Sequence, residues 1–130
     1  MFQSLYLTNS LSQKKEIFKP LNKDFVSMYV CGITPYDFAH LGHARVYVIF
    51  DVLLRLLTFL GYNVTYCRNF TDIDDKLIER ARNRLGDSNG YSQIASEFIT
   101  AFNQDVDALN CLRPAYEPRV TDHIPEIIEF

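Results

Sequence analysis

The stretch that decides the fold is Met28-Tyr-Val-Cys-Gly-Ile-Thr-Pro-Tyr-Asp-Phe-Ala-His-Leu-Gly-His43. It begins as an apolar strand at Met28–Val30, carries a thiol at Cys31, turns through glycine and proline, and ends with two histidines that open a long apolar helix. In open α/β sheets, ligands bind in the crevice outside the carboxyl ends of the strands. Backbone N–H groups at a helix N-terminus favour phosphate there. A thiolate able to bind metal lies close by, so the stretch predicts an enzyme that handles a nucleotide beside a metal ion.

The segments around this stretch predict a right-handed βαβ unit. Phe25–Cys31 is predicted to be a central strand, Gly42–Leu60 a helix, and Tyr62–Arg68 a second strand parallel to the first. The helix is apolar almost all round, so we expect it to pack against a sheet on one side and more protein on the other, in a three-layer α/β fold. Its polar residues form one narrow stripe: Asp51, Arg55 and Thr58.

The other segments predict a short hairpin followed, after the βαβ unit, by helices. Residues 4–19 alternate weakly in polarity, which indicates an edge hairpin. Thr71, with an acid three residues later, is typical of a helix N-cap. The acids that follow it are interpreted as partners of the helix dipole rather than as a metal cluster. These acids are Asp72, Asp74 and Asp75.

Further helices are predicted in the last third of the chain. Gly86–Gly90 is a loop, and apolar residues then recur at helical spacing from Ser92 to about Asn110. Arg113–Pro118 is a turn-rich connector. Thr121 is expected to begin another helix.

Composition is that of a globular protein of one-domain size, with 130 residues, 48% hydrophobic and 22% charged. A net charge of −3 gives no basic footprint, so we expect little autonomous nucleic-acid binding. Three widely spaced cysteines (Cys31, Cys67 and Cys111) argue against a disulfide framework and for a reducing compartment. The longest apolar stretch, Val46–Leu60, is too short and too charged to span a bilayer, and no secretory signal is evident. The expected location is the cytoplasm, without membrane association.

Short motifs spread over the chain carry a family resemblance. His40-Leu-Gly-His43 after a strand is similar to the His-Ile-Gly-His nucleotide-binding signature of class I aminoacyl-tRNA synthetases. Together with its surroundings, it resembles cysteinyl-tRNA synthetase from near residue 3 to the last residue. The surrounding motifs are Tyr29–Thr34, Gly42–Arg45, Phe50–Asp51, Asn69–Lys76 and Leu112–Arg119.

The resemblance covers only the first part of an enzyme several times longer. In addition, Ile127–Phe130 continue an apolar helical pattern without a capping glycine or a polar tail. We therefore expect residues 1–130 to be the N-terminal part of a Rossmann-like catalytic domain, with the remainder of the enzyme absent.

The resemblance implies an enzyme that converts L-cysteine and ATP, used with Mg, into cysteinyl adenylate and then esterifies tRNA(Cys). It implies a zinc ion that binds the substrate thiolate, with Cys31 as one of four protein ligands and the others outside this chain. Such a bond separates cysteine from serine better than a hydrophobic pocket does. It also implies catalytic contacts of His40 and His43 with the ATP phosphates. The implied ATP and adenylate residues are Gly32, Ile33, Thr34, His40, Gly42 and His43; the implied cysteine-binding residues are Cys31, Gly32, Asn69 and Thr71.

Each of these residues also has a structural interpretation. A strand cysteine such as Cys31 is by default a small core residue. Two histidines three apart, such as His40 and His43, are compatible with metal ligands on one helical face or with solvated residues at a helix start. Thr71 is compatible with a helix cap. The chain departs from the family at Val46, where a threonine is usual, which puts one polar contact to the adenylate in doubt.

Three functions from different classes remain open. The first is a piece of cysteinyl-tRNA synthetase, which Arg45, Lys76 and Arg113–Arg119 favour. The second is the cysteine ligase of mycothiol biosynthesis, which forms the same adenylate but uses an amino-sugar acceptor; Ile33–Asp37 and His40–His43 fit it too. The third is a stand-alone half-Rossmann module that binds a nucleotide or a protein. The synthetase family's second ATP loop, which contains lysine, has no counterpart here, so we expect the isolated chain to be inactive.

Overall fold

A computed structural model describes residues 4–130. The first two strands, Tyr6–Asn9 (β1) and Lys14–Ile17 (β2), pair antiparallel, which confirms the predicted hairpin. None of the helices in this part of the chain is long and apolar enough to cross a membrane. The strands are β1 Tyr6–Asn9, β2 Lys14–Ile17, β3 Phe25–Ile33 and β4 Asn63–Phe70; the helices are α1 Leu41–Phe59, α2 Asp75–Leu85, α3 Tyr91–Ala108 and α4 Ile124–Glu129, with 3-10 turns at Ser88–Gly90 and Val120–His123.

The predicted βαβ unit is confirmed. β3 and β4 are neighbours and run parallel, with α1 as the crossover between them. Both strands run two residues further than the sequence predicted, to Ile33 and Phe70. The extra length of β3 contains an irregularity, because its register with β4 shifts between Val30 and Ile33. Cys31 lies inside this irregular segment, which we call the β3 bulge (Cys31–Gly32).

The described helices cover one face of the β3–β4 sheet. Met28 and Val30 share a buried cluster with Tyr47 and Leu54 of α1 and Phe102 of α3. Successive strand residues point to opposite faces. The β3 residues that alternate with the buried ones are exposed: Phe25, Ser27, Tyr29 and Cys31. Residues 4–130 therefore form two layers, where the sequence predicted three.

Two members of the polar stripe of α1 contact the residues directly after α3. Asp51 accepts hydrogen bonds from the Arg55 Nε (2.6 Å) and from the Leu112 N–H (2.7 Å). Arg55 in turn donates to the Asn110 carbonyl at 2.7 Å. Within the described residues, the opposite side of α1 has no cover, so the prediction that both sides are covered fails there. The exposed apolar side chains of α1 include Val48, Ile49, Val52 and Leu56.

The start of α2 corrects two predictions about the acids after β4. Asp74, not Thr71, is the N-cap, and its side chain accepts from the Lys76 N–H at 2.9 Å. Asp75 follows in the first turn, as the dipole interpretation requires. Asp72 does not fit that interpretation, because it is buried and accepts from both the N–H (3.0 Å) and the hydroxyl (2.6 Å) of Thr121. The Asp72 carboxylate therefore holds the 3-10 turn before α4 against the loop after β4.

The connector also pairs with the outer edge of β4. The N–H groups of Arg68 and Phe70 donate to the carbonyls of Tyr116 (3.0 Å) and Pro118 (2.9 Å). The edge of β4 that faces away from β3 is therefore closed, and the turn-rich connector predicted from sequence acts as a short parallel edge segment. The last helix, predicted to begin at Thr121, starts as a 3-10 turn and becomes α-helical at Ile124.

Candidate active site

The first turn of α1 is closed by its two histidines. His40 is the N-cap, and its Nδ1 accepts from the Gly42 N–H at 3.0 Å. The Nδ1 of His43 accepts from the His40 N–H at 3.2 Å, which completes a capping box. Because each Nδ1 is an acceptor, each neutral imidazole carries its proton on Nε2. Both rings can therefore donate a hydrogen bond from Nε2 to an oxygen atom.

The two rings lie against each other, and this affects the charge of His43. Their centroids lie 4.0 Å apart, with a tilt of 32° between the planes. Burial, and to a smaller extent the neighbouring His40, lower the pKa of His43 below its ordinary 6.5. At neutral pH His43 is thus a neutral hydrogen-bond donor, held in place by the helix end.

Gly42 makes room for this arrangement. A Cβ at this position would lie 2.7 Å from Cε1 of His40. A glycine at this position would also let a flat ligand approach the backbone, because no side chain covers it. In the structure, the space is taken by the capping imidazole of His40.

Cys31 lies at the carboxyl end of β3 and its side chain is exposed, so it is not the buried core residue that strand cysteines usually are. The next residue must be glycine, because a Cβ at Gly32 would lie only 1.4 Å from the carbonyl oxygen of Asn69. The Asn69 side chain accepts from the Gly32 N–H at 2.8 Å. This close approach of β4 is what places the thiol at the end of the sheet.

Asn69 and Thr71 lie beside the β3 bulge. The Asn69 side-chain amide donates to the Thr71 hydroxyl at 3.4 Å. The Thr71 N–H donates to the Ile33 carbonyl at 3.0 Å. The hydroxyl of Thr71 is free of the capping role predicted for it, because Asp74 fills that role. Hydrogen bonds therefore connect three of the four residues predicted to bind cysteine, Gly32, Asn69 and Thr71, and Cys31 adjoins them in the chain.

A cavity of about 380 Å³ opens between the end of β3 and the start of α1. Five of the six residues predicted to bind ATP line it, and Gly42 does not. Sequence reasoning missed Lys76, whose Nζ lies 5.1 Å from the centroid of the Tyr36 ring in the cavity wall. The sequence signal for Lys76 is its position in the first turn of a helix that follows a parallel strand. The cavity is lined by Gly32, Ile33, Thr34, Tyr36, Asp37, Phe38, Ala39, His40, His43 and Lys76.

The loop that forms the floor of this cavity is fixed by α2 and α3. The Phe38 ring meets Phe98 of α3 edge-on, with centroids 5.1 Å apart. Tyr36 packs against the buried cluster that joins the two helices, which includes Leu77 and Ala81. The shape of the cavity therefore depends on helices that come later in the chain.

The described residues do not by themselves fit a zinc ion. Structural and catalytic zinc sites need three or four protein ligands. Within residues 4–130, no group of three or more His, Cys, Asp or Glu side chains could hold a metal ion. Burial raises the pKa of both Cys67 and Cys111, which disfavours their thiolate forms. Cys31 is the one exposed thiol, so this part of the chain offers one ligand and not a metal site.

Comparison with known proteins assigns this arrangement to a family. A family model described as the catalytic domain of class I (C) tRNA synthetases matches residues 17–130. The chain belongs to this family. The match includes β3, β4 and all four described helices, so the cavity, the histidine pair and the β3 bulge are parts of a class I tRNA synthetase catalytic domain.

The most similar proteins found include bacterial and plant members of this synthetase family. The chain is 54% identical over 128 residues to the chloroplastic/mitochondrial cysteine–tRNA ligase of Arabidopsis thaliana, covering 98% of this chain and 22% of that protein. It is 52% identical over 124 residues to the cysteine–tRNA ligase of Pasteurella multocida, covering 95% and 26%. It is 54% identical over 124 residues to that of Maridesulfovibrio salexigens, covering 95% and 25%. The chain thus spans about a quarter of the length of these relatives.

Proposed function

We propose that this chain is the nucleotide- and cysteine-binding part of a cysteine–tRNA ligase. The observation that carries the proposal is the cavity between β3 and α1, which joins the His40–His43 pair to the β3 bulge that bears Cys31. In the proposed reaction, a carboxylate oxygen of cysteine attacks the α-phosphorus of ATP. The bond to the bridging oxygen breaks and pyrophosphate leaves. A terminal ribose hydroxyl of tRNA(Cys) then attacks the carbonyl carbon and releases AMP.

The role of the histidine pair follows from its hydrogen bonds. The capping box fixes both Nδ1 atoms as acceptors, so the Nε2–H groups are the donors that remain for phosphate oxygens. Such contacts gain strength as negative charge develops on the phosphate during the reaction. No acidic side chain stands in the first turn of α1 to compete with the triphosphate for the helix end. Lys76 supplies a positive charge across the same cavity.

The cysteine end of the site is assigned to Cys31, Gly32, Asn69 and Thr71. Asn69 and Thr71 present an amide and a hydroxyl beside the exposed thiol, which suits recognition of a small polar amino acid. Zinc is the metal suited to such a thiol, because soft thiolates bind it strongly while hydroxyls do not. Cys31 would supply one ligand of such an ion.

The partners and location of the enzyme are part of the same proposal. ATP with Mg and cysteine would bind at the cavity, and tRNA(Cys) would be recognised mainly by other parts of the enzyme, because this chain has a net charge of −3. We propose a cytoplasmic location.

The test is cysteine-dependent exchange of labelled pyrophosphate into ATP by the enzyme that carries this sequence. We expect exchange with cysteine and at least tenfold less with serine, followed by transfer of cysteine to tRNA(Cys) and not to an amino sugar. Equal exchange with serine, or transfer to the sugar alone, would contradict the proposal. The purified 130-residue chain should give no exchange, because it lacks a second ATP loop.

The variant that tests the role of Cys31 in zinc and cysteine binding is Cys31→Ser. Oxygen is a poorer ligand than sulfur for a soft metal, so we expect bound zinc and cysteine affinity both to fall and discrimination against serine to decrease. Cys111→Ser is the control, because that thiol lies away from the cavity. Full zinc and normal cysteine affinity in the Cys31→Ser enzyme would show that Cys31 has only a structural role.

A further inference from the structure

The peptide group between Cys31 and Gly32 is held at both ends by side chains. In a regular parallel sheet, the N–H and the C=O of one peptide group point to opposite edges of the strand, so a different neighbouring strand would bind each of them. The register shift after Val30 interrupts the ladder between β3 and β4, and no described strand pairs with the other edge of β3. Instead, the Gly32 N–H donates to the Asn69 side chain at 2.8 Å, and the Cys31 carbonyl accepts from the Tyr47 hydroxyl at 3.3 Å. Two side chains thus replace the missing backbone partners of this peptide group.

Tyr47 is well placed to hold such a group. It lies on α1 one turn after His43 and is almost fully buried. Its ring meets Phe102 of α3 edge-on, with centroids 5.0 Å apart, which fixes the direction of the hydroxyl. Burial raises the pKa of Tyr47 to about 12. The hydroxyl therefore stays protonated and remains a donor to the Cys31 carbonyl at physiological pH.

A buried arginine packs against both the Tyr47 and the Phe102 rings. The Arg68 guanidinium lies 5.1 Å from the centroid of the Tyr47 ring and 4.7 Å from that of Phe102. Its charge is paired with Glu117 of the connector, to which both Nε and Nη2 donate. Arg68 is 1% exposed, so its position is set by this pair and by the aromatic rings. The connector thus reaches the β3 bulge through Glu117, Arg68 and Tyr47.

We propose that Tyr47 is a positioning residue that fixes the Cys31–Gly32 peptide and so sets where the Cys31 thiol and the cysteine-binding end of the cavity lie. The inference deepens the proposed function and rests on it. In this role Tyr47 acts through the backbone of Cys31, because its hydroxyl donates to the Cys31 carbonyl and not to His40 or His43. Its loss should therefore affect cysteine binding and spare ATP binding.

The first experiment measures the order of the bulge without any need for activity. Amide hydrogen exchange of the peptide that contains Gly32 is compared, in the intact enzyme, between wild type, Tyr47→Phe and Tyr62→Phe. Tyr62→Phe is the control, because it removes a hydroxyl from a tyrosine that packs against Phe18 just before β4, at the end of the sheet opposite the bulge. We expect exchange at Gly32 to be roughly 3- to 10-fold faster in Tyr47→Phe, as for loss of one hydrogen bond, and unchanged in Tyr62→Phe. Equal exchange in all three proteins would overturn the proposal.

The second experiment asks whether the order of the bulge matters for cysteine. In pyrophosphate exchange, Tyr47→Phe should raise the KM for cysteine by roughly 3- to 10-fold, with the KM for ATP and kcat within about twofold of wild type. Faster hydrogen exchange with an unchanged KM for cysteine would overturn the positioning role and leave Tyr47 as a structural residue. If wild type showed no cysteine-dependent exchange, the proposed function and the cysteine role would both fail, whereas the hydrogen-exchange comparison would still decide whether Tyr47 orders the bulge.

Discussion

The N-termini of α1 and α2 differ in the side chains that accept hydrogen bonds from their free backbone N–H groups. Both helices follow a parallel strand and start at the carboxyl end of the sheet. The first N–H groups of α2 are capped by Asp74, with Asp75 in the first turn. The first N–H groups of α1 are capped by His40 and His43, with no acid in the first turn. One helix end is already complemented by carboxylates, and the other is capped by imidazole nitrogens.

This difference explains which helix end can receive a phosphate. Each helix N-terminus carries roughly half a positive charge. At α2 the carboxylates of Asp74 and Asp75 offset it. At α1 the imidazoles satisfy two N–H groups without adding negative charge, so the field remains available to an anion in the adjacent cavity. The following predictions test this comparison, from the largest expected effect to the smallest.

The largest effect is expected from replacing the capping histidines. Asparagine is a good N-cap, so His40→Asn should keep α1 capped while it removes the Nε2–H donor. We expect a loss of about 10²- to 10³-fold in the rate of adenylate formation, measured as kcat of pyrophosphate exchange, and the same for His43→Asn. Asp74→Asn, which keeps the cap of α2, should stay within about twofold of wild type. A similar loss in Asp74→Asn would contradict the proposed division between the two helices.

Removing the cap of α2 should lower stability and leave the reaction unaffected. Asp74→Ala removes the N-cap of α2 and should lower the free energy of unfolding by about 1 kcal/mol, with a range of about 0.5–2. It should leave the KM for ATP within about twofold of wild type, since Asp74 is not among the residues that line the cavity. Chemical denaturation and exchange kinetics on the same protein measure both quantities. Glu79→Ala, in the middle of α2, is the control. A kinetic loss as large as that of His40→Asn would show that the end of α2 also serves the reaction.

A carboxylate added to α1 should make it resemble α2. Leu41 is the first residue of α1 and is exposed, so Leu41→Glu places an acid in the first turn without disturbing the core. The helix should be stabilised by about 0.3–1 kcal/mol, while the KM for ATP rises by roughly 2- to 5-fold through repulsion. Leu41→Gln, similar in size and uncharged, should do neither. If Leu41→Glu and Leu41→Gln behave alike, the absence of acids at α1 has no role in binding.

The comparison also shows which parts of the site the sequence could predict. Hydrophobic patterning predicted β3, α1, β4 and their parallel order, because each element follows from local periodicity and one turn. The sequence favours Thr71 as the cap of α2, because an acid follows it at the spacing of a capping box. The structure uses Asp74, since β4 continues to Phe70 and the loop after it is extended. Local spacing alone did not separate these two starts.

Three features of the site depend on contacts between distant residues and could not be predicted from local patterns. The β3 bulge exists because the Asn69 carbonyl passes close to Gly32. The role of Asp72 depends on Thr121, 49 residues later. The Tyr47 hydroxyl reaches Cys31 because α1 folds back over β3. The sequence showed that Tyr47 belongs to an apolar helix, and its hydroxyl gave no sign of a partner.

The smallest effect, and the most direct test of the neutral histidine cap, is the response of stability to pH. The folded protein holds the pKa of His43 below 6.5, its value in an unfolded chain, through burial and through the neighbouring His40. Between these two pKa values the unfolded state binds more protons, so stability rises with pH in that window. The contribution of His43 is complete above pH 6.5 and is lost as the pH falls from 6.5 through the lower folded pKa. Chemical denaturation at pH 7.5 and 5.5 should show the loss in wild type and in His123→Asn, and a smaller loss in His43→Asn. An identical loss in His43→Asn would mean that the cap of α1 tolerates charge on His43, and the contrast with the carboxylate-capped α2 would then rest on the rate measurements alone.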